Sequence, residues 1–185
     1  MEIGKPPSSI DYWSDHYSKY RYLDPSPFSL FVINNAYIDN EDTVVDLCCG
    51  DGRDTNYLQR NCKSIIGVDQ ACSHNGKGFI RSTVQDYIAK NAPPDITYCR
   101  FGFHAMDENV EQDILDWSKC IVAEFRSDVG PRPENDHYRR FINGSKFLYK
   151  VLESGFSVKY FCQSYGLSST EKEDPNLIRF IGKRN

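Results

Sequence analysis

A chain of 185 residues fits one domain, since single cores hold roughly 100 to 200 residues. With 39% hydrophobic and 14% aromatic residues it has enough apolar material to bury a core, which excludes a disordered or low-complexity protein. A net charge of −4 excludes a generally basic nucleic-acid binder, because affinity for a phosphate backbone requires clustered Lys and Arg.

Met1-Glu2-Ile3-Gly4-Lys5 starts no signal peptide, and no apolar stretch approaches the roughly 20 residues that cross a bilayer. A cytoplasmic protein without membrane insertion is therefore expected. The first forty residues carry Asp11-Tyr12-Trp13, Tyr17, Tyr20 and Tyr22, then the breaker Pro25-Ser26-Pro27 ahead of the apolar segment Ser29 to Ala36. They read as an aromatic lid plus a first helix over residues 1–40, leaving 41–185 as the main unit of one compact domain.

Thr43 to Leu47 is a short β-branched strand that ends in the turn Cys48 to Gly52, and Asp54 is a candidate N-cap for a helix through Arg60. Ser64 to Val68 is the second strand, closing on Asp69. Only Gln70 to Lys77 separates it from a third near Phe79 to Ser82, which is short for a crossover helix. Asp86 can cap a short helix, Tyr87 to Lys90. Ile96 to Phe101 is a fourth strand, Asp107 caps a helix reaching Lys119, and Cys120 to Phe125 is a fifth. Gly144-Ser145 opens a last helix to Glu153, after which Ser157 to Gln163 and Leu177 to Ile181 pair as an antiparallel hairpin. This alternation predicts an α/β fold: a mostly parallel, seven-stranded Rossmann-like sheet with that C-terminal hairpin, helices on both faces, and some helices short or missing. The seven cysteines are odd in number and lack CxxC spacing, so they read as reduced thiols and not as a zinc site; no metal is expected.

In an open parallel sheet a ligand sits beyond the carboxyl ends of the strands, where a Gly-rich turn lets the backbone approach it. Asp46-Leu47-Cys48-Cys49-Gly50-Asp51-Gly52 has this form, following a strand, preceding a helix and succeeded by the acid Asp69 at the next strand's end. A dinucleotide fingerprint would place a third glycine at Thr55, so a dinucleotide is disfavoured. A sulfonium cofactor has no pyrophosphate to cradle but carries cationic groups, and Asp46 supplies a carboxylate beside them.

These residues resemble the class I S-adenosylmethionine-dependent methyltransferases. Val45-Asp46-Leu47-Cys48-Cys49-Gly50-Asp51-Gly52-Arg53-Asp54 looks like their first motif, Ile66-Gly67-Val68-Asp69 like the second, whose acid binds the ribose hydroxyls, and Gln85-Asp86 like the position that reads the adenine amino group. The resemblance implies S-adenosylmethionine as cofactor, held by Asp46, Cys48, Gly50, Gly52, Asp69, Gln70, Gln85, Asp86, Arg100 and Tyr17. It departs from the family in the truncated segment after Asp69 and in two cysteines where a small residue and a glycine are common. A narrower resemblance is to small methyltransferases encoded among bacterial surface-polysaccharide genes, on Tyr98-Cys99-Arg100-Phe101-Gly102-Phe103-His104-Ala105, Glu124-Phe125-Arg126, His137-Tyr138-Arg139-Arg140-Phe141-Ile142 and Glu173-Asp174-Pro175 with Ile178-Arg179.

His104, just past the fourth strand, is a candidate general base, and Glu124 its alternative or an orienting carboxylate. Arg126, His137, Arg139 and Arg140 are candidate acceptor anchors, because guanidinium forks suit phosphate or carboxylate. Their bland alternative is a structural network of Arg126 with Glu124 and Asp128. The expected activity is methyl transfer to a small anionic acceptor such as a phosphorylated or acidic sugar. Two rivals stand beside it. An RNA cap methyltransferase would want an aspartate of its Lys-Asp-Lys-Glu tetrad where Arg100 and Phe101 stand, and a catalytically silent cofactor-binding partner subunit would fit the small size.

Overall fold

The structure, a computed structural model, describes residues 10–20, 22–71, 77–130, 138–168 and 173–185. Seven strands form one sheet: β1 (Thr43–Leu47), β2 (Ser64–Asp69), β3 (Phe79–Arg81), β4 (Ile96–Arg100), β5 (Cys120–Arg126), β6 (Phe156–Ser164) and β7 (Leu177–Arg184). Their spatial order is β3-β2-β1-β4-β5-β7-β6. The first five run parallel, and β7 is antiparallel to both β5 and β6. The final strand thus inserts between its hairpin partner and the parallel sheet, and the expected Rossmann-like fold with its antiparallel hairpin stands.

Side chains alternate across the strands and so fill two layers. Val45, Ile121, Ala123 and Phe125 join a core with α5 (Glu108–Trp117) and α6 (Gly144–Glu153), while Val44, Tyr98 and Val122 join a second core with α2 (Pro27–Asn34) and α3 (Arg53–Leu58). Helix α4 (Val84–Ile88) contributes Tyr87 to the first core. α1 (Ile10–Lys19) buries no residue and lies over the mouth of the sheet.

Three expectations about helix starts change. α2 begins at Pro27, whose missing N–H suits a first turn, and Ser26 accepts from Ser29 N as its cap. α3 is capped by Gly52 at φ +76, so Asp54 falls inside the first turn. α4 is capped by Thr83, whose Oγ1 accepts from Asp86 N at 3.1 Å while donating to Asp86 Oδ2 at 2.9 Å. Asp86 is therefore the third residue of that helix's capping arrangement and not the cap. Among the described residues no helix is long and apolar enough to cross a membrane, and no group of three His, Cys, Asp or Glu could hold a metal ion.

Candidate active site

The strand order reverses direction between β1 and β4, and the crevice beyond their carboxyl ends is where such a sheet binds ligands. A cavity of about 910 Å³ opens there, within the range of small-molecule and cofactor sites.

One end of the cavity is acidic and held by the main chain. The turn after β1 folds back on β2, with Cys48 N and Cys49 N both donating to Val68 O. It needs positive φ at Cys48 (+62), Gly50 (+58) and Gly52 (+76). A cysteine tolerates this left-handed geometry poorly, and the two thiols fit only because glycines face them. A Cβ on Gly67 would stand 2.9 Å from Cys49 Sγ, and one on Gly102 would stand 3.0 Å from Cys48 Sγ. Asp69 Oδ2 accepts from Gly50 N at 3.0 Å and Oδ1 from Ala71 N at 2.7 Å. Each oxygen keeps a lone pair for a ligand hydroxyl. Asp46 Oδ2 accepts from Thr55 Oγ1 at 2.6 Å, so the residue at the dinucleotide motif's third-glycine position serves to orient this carboxylate. Burial pushes both Asp46 and Asp69 above the usual carboxylate range, and a cation placed beside them would relieve that cost.

α1 covers this end. The Tyr17 ring lies on Gly50, where an added Cβ would stand 2.6 Å from Tyr17 Cζ, and it stacks on Trp13 at 5.7 Å. Tyr22 N donates to Asp51 Oδ2 at 2.9 Å. Behind it, buried Asp54 accepts from Ser26 N, Ser26 Oγ and Tyr98 OH at 2.7 to 2.9 Å, tying the N-terminal arm to α3 and β4. Sequence reasoning missed this knot, since a Ser, an Asp and a Tyr so far apart carry no joint signal.

The other end holds the arginines. Phe101 follows β4 at φ +60, a strained conformation for a bulky residue. Its N donates to Glu124 O at 2.7 Å, the Arg100 guanidinium lies 4.1 Å above its ring, and His104 meets it edge-on at 5.4 Å. His104, in a 3₁₀ turn (Phe103–Ala105), accepts from Arg126 N through Nδ1 at 3.2 Å. The neutral ring therefore carries its proton on Nε2. In that tautomer Nδ1 is taken by the Arg126 backbone and Nε2 is the donor.

Glu124 stands behind the cavity wall, in the core. It is fully buried, accepting from Arg100 Nε at 3.0 Å and Arg179 Nε at 2.7 Å, so its lone pairs serve a core ion pair. Arg140 is a strut: Nε donates to Met106 O at 2.8 Å, Nη2 to Phe103 O at 3.0 Å, and the same group pairs with Glu111. Its donors are committed to holding the 3₁₀ turn against α5. The suggested network of Arg126 with Glu124 and Asp128 does not form. Arg126 pairs with Glu173, and Asp128 accepts from Asn143. Arg139 also lines the cavity; burial and then the Arg126 charge lower it to about 10.

Of the expected site residues, Tyr17, Asp46, Cys48, Gly50, Asp69, Gln70, Gln85, Arg100, His104, Arg126 and Arg139 line one cavity. Gly52, Asp86, Glu124 and Arg140 lie outside its wall, the first because it shapes the turn through its backbone alone. His137 falls outside the described residues. His16 lines the cavity too, as do Asp51, Phe101 and Glu173, which belong to the quoted motifs but carry no expected site role.

No protein-family model matches the chain, and no curated protein sequence matches it. Its fold is that of Rossmann-like methyltransferases. The protein solved in complex with the Haloferax volcanii Trm112 methyltransferase activator is 12% identical, with a TM-score of 0.68 over 97% of this chain and 99% of that one. The Burkholderia thailandensis 1,6-didemethyltoxoflavin-N1-methyltransferase, solved with its substrate and S-adenosylhomocysteine, is 16% identical, with a TM-score of 0.66 over 99% and 94%. The magnesium protoporphyrin IX methyltransferase of Synechocystis, solved with S-adenosylmethionine, is 12% identical, with a TM-score of 0.58 over 93% and 79%.

Proposed function

We propose that this chain is a cytoplasmic S-adenosylmethionine-dependent methyltransferase acting on a small anionic acceptor, of the phosphorylated or acidic sugar class. The observation that carries this reading is the polarity of a single cavity at the switch point. Asp46, Asp51 and Asp69, at and after the ends of β1 and β2, and Arg126 and Arg139, at and beyond the end of β5, line that one cavity together with Arg53, Arg100 and Glu173, so a cationic donor and an anionic acceptor can be drawn into one space.

When bound, the cofactor supplies a methyl group already activated by its sulfonium. The chain's own residues bind, orient and exclude water. Asp69 takes ribose hydroxyls on the lone pairs left beside its two main-chain bonds, Asp46 balances cationic charge, and Gln70 and Gln85 flank the base. Tyr17 and Trp13 on α1 close over the turn as an aromatic lid, offering π faces to a cation. At the far end Arg126 and Arg139 anchor the acceptor's anion, and His104 donates from Nε2 to fix its position. Alignment of donor and acceptor then carries most of the rate enhancement.

The test is label transfer from methyl-labelled S-adenosylmethionine to sugar phosphates, uronic acids, neutral sugars and RNA. Transfer to the anionic sugars alone is expected. Transfer to RNA alone overturns the acceptor class, and cofactor binding without turnover on any acceptor marks a silent binding module.

A further inference from the structure

The residue that opens the turn after β1 is strained and brings a thiol to the cavity wall. Cys48 has φ +62, a left-handed conformation unfavourable for any residue with a side chain, and it lines the cavity while half-buried. Cys99 in β4 is fully buried behind it, in the core. The two thiols are hydrogen-bonded to each other. Gly102 leaves them room: an added Cβ there would stand 3.0 Å from Cys48 Sγ and closer still to Cys99 Sγ. Cys49 Sγ lies on the other side of the turn, beside Gly67 of β2.

The two cysteines differ in how firmly they are held. Cys99 belongs to a strand paired with β1 on one side and β5 on the other. Cys48 belongs to a turn tied to β2 by Cys48 N and Cys49 N on Val68 O and by Gly50 N on Asp69 Oδ2. Thiols in van der Waals contact stand further apart than the about 2.05 Å of a disulfide, so a covalent bond between them draws sulfur toward sulfur. β4 is the fixed partner, and the turn yields. The displacement falls on the segment that presents Gly50 N to Asp69.

We propose that Cys48 and Cys99 form a modification site for small hydroperoxides, closed by oxidation into a disulfide that distorts the turn after β1 and weakens ligand binding there. The oxidant reaches Cys48 through the cavity, and Cys99, sealed behind it, is the resolving thiol. The Cys48 sulfur attacks the O–O bond of hydrogen peroxide, giving a sulfenic acid and one water. The Cys99 sulfur then attacks the Cys48 sulfur: the S–S bond forms, the S–O bond breaks, and the hydroxide leaves as water with the Cys99 proton. Two thiols lose two electrons and two protons, and one peroxide becomes two waters. Contact with Cys99 and burial hold the Cys48 thiol above its usual range, so the reactive thiolate is scarce and the site answers sustained oxidant, not a brief pulse. The consequence for binding rests on reading this turn as the cofactor loop. By linkage, a ligand on the turn opposes the oxidation that weakens it.

The test is exposure of the full chain to hydrogen peroxide, then thiol blocking, digestion and mass analysis, with S-adenosylhomocysteine titration of the same samples. A peptide pair linked through Cys48 and Cys99 and released by dithiothreitol is expected, formed more slowly when S-adenosylhomocysteine is saturating. The oxidised chain is expected to bind S-adenosylhomocysteine at least about fivefold more weakly, with affinity restored by dithiothreitol. Cys99→Ser is expected to give no linked pair and to stop at a Cys48 sulfenic acid, trapped by dimedone. Absence of the Cys48–Cys99 pair from oxidised wild type, or a pair whose formation leaves S-adenosylhomocysteine binding unchanged, overturns the proposal. If the reduced chain itself binds no S-adenosylhomocysteine, the cofactor reading fails, while the linked pair, read by mass alone, still decides the modification site.

Discussion

The two ends of the cavity are built by different means. The acidic end rests on main-chain donors of the turn after β1, Gly50 N to Asp69 Oδ2 and Cys48 N to Val68 O, in a turn whose positive φ values leave little freedom. The arginine end rests on side chains, with Glu124 gripping Arg100 and Arg179, Glu111 gripping Arg140, and Arg126 shared with a half-exposed Glu173. Backbone geometry specifies a ligand part that never changes. Side-chain ion pairs specify one that can differ between proteins of the same fold, since a few substitutions reset them.

That difference predicts how each end fails. Glu124→Gln strands two buried guanidiniums and is expected to cost about 3 to 5 kcal/mol in denaturant unfolding, with activity lost through the fold. Unchanged stability with lost activity would return Glu124 to a catalytic role. His104→Ala is expected to slow transfer by roughly a hundredfold with cofactor affinity kept, the usual cost of one directed donor. His104→Gln, which can still donate, should recover part of it; equal damage from both substitutions would restore the general base. Asp69→Ala is expected to keep the fold and weaken cofactor binding by about ten- to a hundredfold, or about 1.5 to 3 kcal/mol, as read by titration.

The acidic end also predicts a pH dependence. Burial raises Asp46 and Asp69 above the ordinary value of 3.8, so the folded, ligand-free chain holds protons there that the unfolded chain has released. Stability of that form therefore falls as pH rises through the window from 3.8 up to the raised values. A cationic ligand prefers the ionised carboxylates, so cofactor affinity rises over the same window; melting and titration carried upward from about pH 4 check both signs. The smallest effect is expected of Gly50→Ala: about 1 kcal/mol from the left-handed backbone, plus displacement of Tyr17 visible in Trp13 fluorescence. The fluorescence change, but not the backbone cost, should vanish on a Tyr17→Ala background.

What could be read from the sequence follows the same division. The strand, turn and helix around Asp46 and Asp69 are local, so spacing alone located them, as it did the five parallel strands. The insertion of β7 between β5 and β6 is a pairing between distant segments, and nothing in Leu177 to Arg184 announces it. Asp54 looked like a cap because Asp favours that position, yet Gly52 already starts the helix and frees Asp54 for Ser26 and Tyr98. Glu124 and Arg140 looked like site residues because a charged side chain near a strand's end suggests chemistry. Their partners lie 55 and 29 residues away, and only folding reveals that those charges are spent on one another.

The most direct test is titration of the full chain with S-adenosylhomocysteine, in wild type and in Asp69→Ala. Saturable binding at one site per chain is expected, weakened at least about tenfold by the substitution and unaffected by Arg139→Gln. No saturable binding, or binding that Asp69→Ala leaves untouched while Arg139→Gln abolishes it, would contradict it.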